Sequence, residues 1–426
     1  MAREMKDSGI EWIGEIPREW DIRKLKYCSE FIQDKYSDKN GELEYIGLEN
    51  ISSWSGKYIS TDSQYDRAQS LLFQAEDILW GKLRPYLAKV YHTKKSGCCS
   101  SEFCVIRVSK DYSIRYFWNL LISSEFVYAI DRSTYGTKMP RANAEFIRNT
   151  FIPVPDKHEQ QAIADFLDTQ CAHIDSVIEK TRAAIEEYKK LKQAVITQAV
   201  TKGIRPNREM KDSGIEWFPV IPMEWTVSRV GLHYDIILGK MLCQNQLNND
   251  YTLEPYYCAA NVHFDGVSNT DLKQMWFSTA EKEQYLVKEG DLLVVEGGAG
   301  AGGSAIVVSV DKPTYVQNSV MIVRPKNTSN NCYLRYLLEF LVKEGYIEVA
   351  CNKATIPHFT KDKLANVPYL VSNEQSEIVA YLDEKTAAID SLVQKKEQLI
   401  SELEAYKKSL IYEYVTGKKE VPVHAH

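Results

Sequence analysis

The chain has 426 residues, of which 44% are hydrophobic and 26% are charged, with a formal net charge of −6 at pH 7. This length and composition predict two or more globular domains and exclude a largely disordered protein. The acidic balance argues mildly against nucleic-acid binding, so any such function must rest on local features. No apolar run reaches the roughly 18 residues that span a bilayer, and the first residues lack the apolar core of a secretory signal. Nine cysteines without a CxxC pair favour a reducing environment, and we expect a cytoplasmic protein.

The first segment of the chain occurs again in its second half. Residues 3–12 and 208–217 both read REMKDSGIEW, and each copy continues to an Ile-Pro pair and a second tryptophan. Gly and Pro disfavour helix, and tryptophan supplies a large apolar area for packing. An ordinary stabilising loop is the simpler explanation, because nothing in the segment has catalytic chemistry. We interpret the copies as segments that dock against the pair of long helices predicted below, and the predicted partner-docking residues are Trp12, Trp20, Trp217 and Trp225.

A stretch of mixed character follows each docking segment, at residues 21–156 and 226–372. Short β-branched and aromatic runs alternate there with Gly, Asn and Asp, which predicts strands and short helices. The order of elements matches between the two stretches, whereas most residues differ. The pattern therefore predicts one α+β fold that is present twice with different surfaces. The predicted strands are 77–80, 103–108, 291–294 and 319–324, and the predicted helices are 114–122 and 333–342.

Two long helices are predicted at residues 159–203 and 374–417. Apolar residues recur along both at alternating spacings of three and four, which is typical of a stripe that packs against a partner helix. An offset of 215 aligns the two helices without a gap until the last turn. Asp156 and Glu159 predict a capping box at the first helix, and Gly203 follows its last turn. Because neither helix can bury its stripe alone, we predict that the two helices pair.

Two loops of the first stretch combine basic residues with aromatic or small ones. Residues 80–86 read WGKLRPY directly after a predicted strand, and residues 135–141 read YGTKMPR. Such loops can place Lys and Arg on phosphates or base edges while Tyr stacks on a base. For the first loop, a solvated turn explains the residue types equally well. Residues 352–358, the counterpart of the second loop, keep its Lys, Thr and Pro.

Other patterns give no convincing catalytic or metal site. The glycine-rich residues 297–303 lack the Gly-Lys-Ser/Thr of a phosphate loop and predict a hairpin, either structural or close to a ligand such as DNA. Cys98, Cys99 and Cys104 have no partners at zinc spacing and predict buried strand cysteines. No Asn/Asp-Pro-Pro-aromatic motif of amino-group methyltransferases occurs. We therefore predict a chain without catalytic activity of its own.

The two predicted domains differ in charge. Residues 20–157 contain 20 Lys/Arg and 17 Asp/Glu, a net charge of +3, whereas residues 225–372 contain 13 and 15, a net charge of −2. Phosphate neutralisation by this chain alone would be modest, so DNA affinity should depend on a more basic partner. The acidic balance also leaves open a second class of function, a coiled-coil scaffold that organises proteins without binding DNA.

Several segments together resemble the specificity subunit of type I restriction–modification systems. In the first half they are MKDSGIEWIGEIPREW, DILWGKLRPYLAKV, GTKMPR and EQQAIADFLD, and in the second half PYYCAANV and GDLLVVEGG. The resemblance covers nearly the whole chain. One departure is GAGAGGSAIV, where the family pattern would have an Arg after the glycines. A base or phosphate contact of the second domain is therefore in doubt.

The resemblance implies an α+β architecture with a pseudo-two-fold internal repeat. Two target-recognition domains would each read one half of a gapped DNA site, spaced by long helices in an antiparallel coiled coil. The implied partners are double-stranded DNA and two methyltransferase subunits, and restriction or translocase subunits could join them. S-adenosylmethionine, ATP and Mg²⁺ are expected on those partners, and no cofactor is expected on this chain. Because the two domains differ, we predict an asymmetric recognition sequence.

The sequence thus divides into seven predicted segments: docking loop 1–20, recognition domain 21–157, central helix 158–203, repeated docking loop 204–225, recognition domain 226–372, second helix 373–417 and tail 418–426. The predicted DNA-binding residues lie in the loops of the two recognition domains and are Lys82, Arg84, Tyr86, Thr137, Lys138, Met139, Arg141, Lys240, Asn261, Lys353, Thr355 and His358.

Overall fold

The computed structural model describes residues 3–36, 43–61, 70–134, 138–351 and 357–422. The chain divides into two compact units, which we call unit 1 (Met1–Ala183 with Lys396–His426) and unit 2 (Ala184–Lys395). Each unit contains one mixed α/β domain and parts of both long helices. No helix in the described part of the chain combines the length and apolarity needed to cross a membrane.

The first half of the chain begins with a short hairpin, continues as a mixed domain and ends in the first long helix. Its strands are β1 (Met5–Asp7), β2 (Glu15–Pro17), β3 (Asp21–Lys24), β4 (Ser29–Ile32), β5 (Tyr45–Ile46), β6 (Leu71–Phe73), β7 (Ile78–Gly81), β8 (Val90–His92), β9 (Gly97–Cys99), β10 (Phe103–Val108) and β11 (Phe151–Val154). Its helices are α1 (Ile114–Ile122), α2 (Ser124–Asp131), α3 (Ala144–Asn149) and α4 (Lys157–Lys202).

The second half follows the same plan. Its strands are β12 (Met210–Asp212), β13 (Val220–Pro222), β14 (Thr226–Arg229), β15 (Tyr234–Leu238), β16 (Thr252–Tyr257), β17 (Val262–His263), β18 (Gly266–Val267), β19 (Lys273–Phe277), β20 (Leu292–Val295), β21 (Ser304–Ile306), β22 (Tyr315–Val316), β23 (Val320–Pro325) and β24 (Pro368–Val371). Its helices are α5 (Val230–His233), α6 (Thr279–Tyr285), α7 (Asn331–Lys343), α8 (Tyr346–Ala350), α9 (Lys361–Ala365) and α10 (Gln375–Val415).

A four-stranded antiparallel sheet forms the centre of each domain. Its strand order is β4-β10-β7-β8 in unit 1 and β15-β23-β20-β21 in unit 2, the same order in equivalent strands. The strands β7 and β20 are apolar along their whole length and fully buried, as expected for strands covered on both faces. A smaller sheet differs between the units: β6 pairs with β9 in unit 1, whereas β19 pairs with β16 in unit 2.

A buried carboxylate just before the central strand is paired in the same way in both sheets. Asp77 accepts two hydrogen bonds from the guanidinium of Arg107, each 2.8 Å long. Asp291 accepts the equivalent pair from Arg324, at 2.7 and 2.6 Å. Because an unpaired buried carboxylate would cost several kcal/mol, these bidentate pairs fix the strand β10 against β7 and β23 against β20.

The two long helices run antiparallel. In unit 1, the rings of Phe166 and Tyr414 lie 4.5 Å apart, and Lys407 Nζ lies 2.6 Å from the carboxylate of Asp175. Residue numbers thus rise along α4 while they fall along α10. The predicted helix pair and the mixed α/β class are confirmed, and the helix bounds differ from the prediction by one or two residues at each end.

The ion pairs along the helices follow the internal repeat. Lys407 and Asp175 in unit 1 correspond, at the offset of 215, to Lys192 and Asp390 in unit 2, which are 2.7 Å apart. The helix α4 therefore supplies the carboxylate in unit 1 and the lysine in unit 2, and α10 supplies the lysine in unit 1 and the carboxylate in unit 2.

The N-terminal hairpin of unit 1 is fixed to the start of α4 by Glu159. Its carboxylate accepts hydrogen bonds from Arg3 at 2.6 Å and from Trp20 Nε1 at 2.8 Å. Asp156 Oδ1 accepts the Glu159 N–H at 2.9 Å, which is the first half of the predicted capping box. The prediction of the second half, a hydrogen bond from the Asp156 N–H to the Glu159 side chain, was wrong. That side chain accepts hydrogen bonds from Arg3 and Trp20 instead.

Unit 2 repeats this arrangement with Glu374. Its carboxylate accepts hydrogen bonds from Arg208 and from Trp225 Nε1, the latter at 2.9 Å. The Glu374 side chain is almost fully buried. We call these two three-residue sets the latches of units 1 and 2. Both docking segments therefore pack on a long helix of their own unit, and each takes the form of a short β-hairpin.

Candidate nucleic-acid interface

Strand register brings three loops to one end of the large sheet in unit 1. The strand β7 ends at Gly81, which pairs with Phe103 at the start of β10, and β4 ends at Ile32 beside the same part of β10. The loops after β4 and β7 and the turn before β10 therefore emerge together. We call this region the loop end of unit 1.

The two basic loops predicted from sequence meet at this loop end. The Arg84 N–H donates to the Pro140 carbonyl at 2.8 Å, and the Ala142 N–H donates to the Lys82 carbonyl at 2.9 Å. Between them, Leu83 and Arg141 form an isolated antiparallel bridge. Residues separated by almost sixty positions thus form one continuous surface.

The side chains of this surface are basic and largely exposed. Arg84, Tyr86, Lys138 and Met139 are exposed, and Thr137 lies outside the described residues. Arg84 and Lys138 have no acidic partner within the described ranges, whereas Arg141 forms an ion pair with Glu102 at 2.5 Å. A guanidinium and an ammonium group without protein partners are free to bind an anionic or acceptor-rich ligand.

Arg84 also has a strained backbone. Its φ of 50° and ψ of 65° lie in the left-handed region, which costs a residue with a Cβ roughly 1–2 kcal/mol. Such strain is concentrated at functional sites in proteins. At Arg84 it coincides with an exposed side chain that has no acidic partner among the described residues.

Lys82 lies between the loop end and the interior. It is half-buried, and its charge acts on the buried thiols of Cys99 and Cys104. Burial raises the pKa of Cys104 to about 12, so this thiol stays protonated, although the nearby Lys82 opposes the shift. Cys98, Cys99 and Cys104 lie in strands with little exposure, which confirms the prediction of buried strand cysteines.

The same geometry occurs in unit 2 with different side chains. The strand β20 ends at Val295 opposite Val320, the start of β23, and β15 ends beside them. The Gly298 N–H donates to the Pro357 carbonyl at 3.2 Å, and the Phe359 N–H donates to the Glu296 carbonyl at 2.5 Å. These bonds define the loop end of unit 2.

The equivalent hydrogen bonds identify which residues replace the basic ones. Glu296 takes the place of Lys82, Gly298 that of Arg84, and His358 that of Arg141. His358 is exposed and its ring lies against Gly297. Lys353 and Thr355, both predicted to bind DNA, lie outside the described residues. The described part of this loop end is therefore much less basic than its counterpart.

The glycine-rich segment of unit 2 forms the predicted hairpin. It connects β20 to the antiparallel strand β21, and its glycines allow tight turns. At Gly302, φ is +82°, and an added Cβ would lie 2.8 Å from the side chains of Val342 and Ile347. Only glycine fits both this backbone conformation and this close packing. Gly302 therefore has a structural role.

Two other predicted DNA-binding residues of unit 2 are buried. Lys240 Nζ pairs with Glu281 at 2.5 Å and lies over the ring of Tyr251. The Asn261 side chain accepts the Cys258 N–H at 3.0 Å and caps a short 3₁₀ turn. The prediction of DNA contacts at Lys240 and Asn261 is therefore not supported by their placement, because both side chains are engaged inside the domain.

The predicted partner-docking tryptophans also pack within their own units. Trp20 and Trp225 are buried and serve the latches. Trp12 is half-buried against Phe126, and Trp217 against Tyr346. Trp20 and Trp225 are thus unavailable to another subunit, which corrects the expectation for these two side chains. A docking role for the hairpins themselves stays a prediction.

Within the described ranges, no group of three or more His, Cys, Asp or Glu residues could hold a metal ion.

Sequence reasoning overlooked Glu296 at the loop end of unit 2. The offset of 214 that aligns β7 with β20 would have identified it, because it places Glu296 over Lys82.

Known protein families and sequences that resemble this chain all belong to one class of protein. The type I restriction modification DNA specificity domain matches residues 17–187 and again residues 222–402. The specificity subunit of the type I restriction enzyme MjaVIII from Methanocaldococcus jannaschii is 22% identical over 352 residues, which cover 77% of each chain. The specificity subunit of EcoBI from Escherichia coli is 28% identical over 138 residues, covering 32% of this chain and 28% of that protein.

Two solved structures share the fold at 20% sequence identity. One comes from a study of complex assembly and conformational transition of the type I R-M system; it has a TM-score of 0.76 and covers 95% of this chain and 99% of that one. The other is the HsdS subunit from Thermoanaerobacter tengcongensis, with a TM-score of 0.57, covering 95% and 98%. Because the family domain matches most of the chain in two copies, the chain belongs to the type I restriction–modification DNA specificity family.

Proposed function

We propose that each domain of this specificity subunit reads one half of a gapped, asymmetric DNA site. The observation that carries the proposal is the internal repeat. Both units keep the same latch, the same Asp–Arg pair and the same paired loops, whereas the exposed side chains of the two loop ends differ. A pair of equal scaffolds with unequal surfaces is suited to two different half-sites.

The loop end of unit 1 has the chemistry for a contact with DNA. Arg84 and Lys138 can bind phosphates or the acceptor edge of guanine, and Tyr86 can stack. The net charge of the whole chain is −6, so this contact depends on a local basic surface rather than on the overall field. More phosphate contacts would come from partner subunits, on which DNA affinity then depends.

The helix pair would set the separation of the half-sites. The helix α4 has 46 residues, which corresponds to about 70 Å at the usual rise per residue. B-DNA repeats about every 34 Å, so a spacing of one to two turns between half-sites is within the reach of such helices. A coiled coil is stiff enough to hold this spacing constant.

The same helices offer equivalent surfaces to two methyltransferase subunits. Leu191 on α4 and Tyr406 on α10 are related by the offset of 215, and both are large, apolar and exposed. Exposed apolar residues at equivalent positions are suited to two copies of one partner. Catalysis, with its S-adenosylmethionine, ATP and Mg²⁺, would belong to the methyltransferase and restriction subunits.

The test is to co-express the chain with its methyltransferase subunit and to map modified bases by single-molecule sequencing. We expect a gapped, asymmetric motif with one modified adenine in each half. Replacing residues 21–156 with the equivalent domain of another family member should change one half of the motif only. A palindromic motif, or a change in both halves, would contradict independent reading. A stable complex that modifies no DNA would favour the protein-scaffold function.

A further inference from the structure

The backbone holds Glu296 firmly at the loop end of unit 2. Its N–H donates to the Ser319 carbonyl at 2.9 Å, and its carbonyl accepts the Phe359 N–H at 2.5 Å. It also follows directly on the buried strand β20. Its side chain therefore starts from a fixed point at the junction of three segments, unlike that of a residue on an unsupported loop.

The carboxylate of Glu296 lacks a protein partner among the described residues. It is half-buried, and burial raises the pKa of this carboxyl, although the nearby His358 opposes the shift. Other carboxylates of the same domain with comparable or lower exposure are paired: Asp291 with Arg324, and Glu281 with Lys240. A partly desolvated acceptor without a donor costs free energy, which a ligand with a donor group would recover.

The chemistry of DNA limits what that donor can be. A carboxylate repels phosphates and the acceptor atoms on the major-groove edges of guanine and thymine. It accepts a hydrogen bond from an exocyclic amino group, N4 of cytosine or N6 of adenine. We propose that Glu296 is a base-reading residue of the second domain and accepts a hydrogen bond from such an amino group in its half-site. The inference rests on the proposed function, in which the loop ends face DNA.

The equivalent position in unit 1 has the opposite chemistry. Lys82 can only donate, and a donor at this point favours the O6 and N7 acceptors of guanine. The two loop ends would then use one backbone framework to select opposite hydrogen-bonding edges. This gives a physical reason for an asymmetric motif that does not depend on the overall charge of either domain.

The variant Glu296→Gln tests the inference in the complete complex with methyltransferase subunits. The amide keeps an acceptor but adds a donor, so it should also tolerate guanine or thymine. Glu289→Gln is the matched control, because Glu289 is exposed at the turn before β20, at the other end of that strand. Glu296→Lys, which copies the chemistry of Lys82, should move the preference towards guanine. Modified motifs and relative methylation rates on substituted sites are the readouts.

We expect the wild-type complex to require one particular base pair in the second half-site, with its cytosine or adenine on the strand that Glu296 contacts, by roughly 5- to 150-fold over the other base pairs. Glu296→Gln should relax that position alone, and Glu289→Gln should leave the motif unchanged. If Glu296→Gln and Glu296→Lys both gave the same modified motif as the wild type, this inference would be overturned and the proposed function would stand. A wild-type complex without any motif would overturn both. Modification of the unaltered first half-site shows that a variant complex has assembled.

Discussion

The two units share the contacts that hold their scaffolds and differ in the loops that these scaffolds present. In both units a glutamate at the start of a long helix binds an arginine and a tryptophan of the hairpin, Glu159 in one and Glu374 in the other. At the loop ends, by contrast, Arg84 is replaced by Gly298 and Lys82 by Glu296.

The difference follows from solvation. A buried charge must keep its partner, because losing the partner leaves an uncompensated charge in a poorly solvated place. An exposed side chain on a loop can change at little cost in stability. The latches are therefore the same in both units, whereas the exposed side chains of the loop ends differ.

Removing a latch glutamate should have the largest effect on stability. Glu374→Ala removes one of the two carboxylate acceptors of Arg208, leaving only Glu224, and also removes the acceptor of the Trp225 indole N–H. It should lower the free energy of unfolding of unit 2 by about 3 kcal/mol. The side chain of Glu159 is 24% exposed and that of Glu374 is 1% exposed. Glu159→Ala should therefore cost unit 1 less, about 1–2 kcal/mol, because water can solvate Arg3.

Hydrogen exchange of the full chain in increasing urea, read separately in peptides of each unit, measures both losses. Glu377→Ala is the control, since Glu377 lies in the same first turn of α10 as an exposed partner of Arg205. The control should change stability by less than about 1 kcal/mol. Equal losses for Glu159→Ala and Glu374→Ala would show that burial does not distinguish the two latches.

Substitutions at the equivalent exposed positions of the helices should change the number of bound methyltransferase subunits. Leu191→Asp introduces a charge into one proposed docking surface, and Tyr406→Asp into the other. Each single variant should bind one subunit and the double variant none, as measured by native mass spectrometry. Gln398→Asp, an exposed change on the same helix α10, is the control and should bind two. Two bound subunits in the double variant would rule out these surfaces.

The fold was largely predictable because its signals are local and repeated. The stripe of α4, the apolar run of β7 and the ten-residue repeat each depend on spacing or identity that can be read without coordinates. The capping box was half wrong, because Glu159 prefers a long-range arginine to the nearby N–H. Contacts of that kind depend on which distant segments meet, and the sequence pattern does not contain this information.

Substitutions of Arg84 should change both the DNA affinity of the complex and the backbone strain of unit 1. Arg84→Ala should weaken DNA binding of the assembled complex by about 1–3 kcal/mol if the guanidinium reads a base. Arg84→Gly should weaken binding similarly but stabilise unit 1 by roughly 1 kcal/mol, because glycine adopts positive φ without strain. If Arg84→Gly raised the stability of unit 1 and lowered DNA affinity, the strained backbone at this residue would be identified as serving function.

Binding by fluorescence anisotropy at several salt concentrations, together with urea unfolding, checks both quantities. Arg182→Ala is a suitable control, since it removes the same charge from the helix pair of unit 1. Unchanged affinity and an unchanged salt dependence in Arg84→Ala would refute a DNA contact at this residue.

The reverse substitution should add a DNA contact to unit 2. At Gly298, φ is +85° and an added Cβ would meet no atom within 4 Å, and the equivalent Arg84 already adopts a positive φ. Gly298→Arg should therefore fold, at a cost of roughly 1–2 kcal/mol. The added cation should raise affinity and steepen the salt dependence by about one phosphate contact. Gly298→Ala carries the same strain without the charge, so it should lose stability without gaining affinity.

The site was less predictable than the fold, for a reason that the two loop ends make clear. Residue type correctly placed Arg84 and Lys138 at an exposed loop surface. It did not distinguish them from Lys240, whose side chain is held by Glu281 inside the domain. A lysine in a loop looks the same in sequence whether its partner is a phosphate or a carboxylate forty residues away. Burial decides between them, and burial is a property of the packed structure.

The ion pairs between the long helices should give the smallest effect and the closest comparison of the two units. Asp175 contacts both Lys407 and Lys57 and is 24% exposed, whereas Asp390 contacts Lys192 and is 57% exposed. Asp175→Asn should therefore cost unit 1 about 1 kcal/mol, and Asp390→Asn should cost unit 2 less than about 0.5 kcal/mol. Urea unfolding at low and high salt measures both losses, and the loss for Asp390→Asn should shrink more with added salt, because salt screens the more exposed pair more strongly. If the two losses were equal at both salt concentrations, the second cation at Asp175 would contribute nothing to the stability of unit 1.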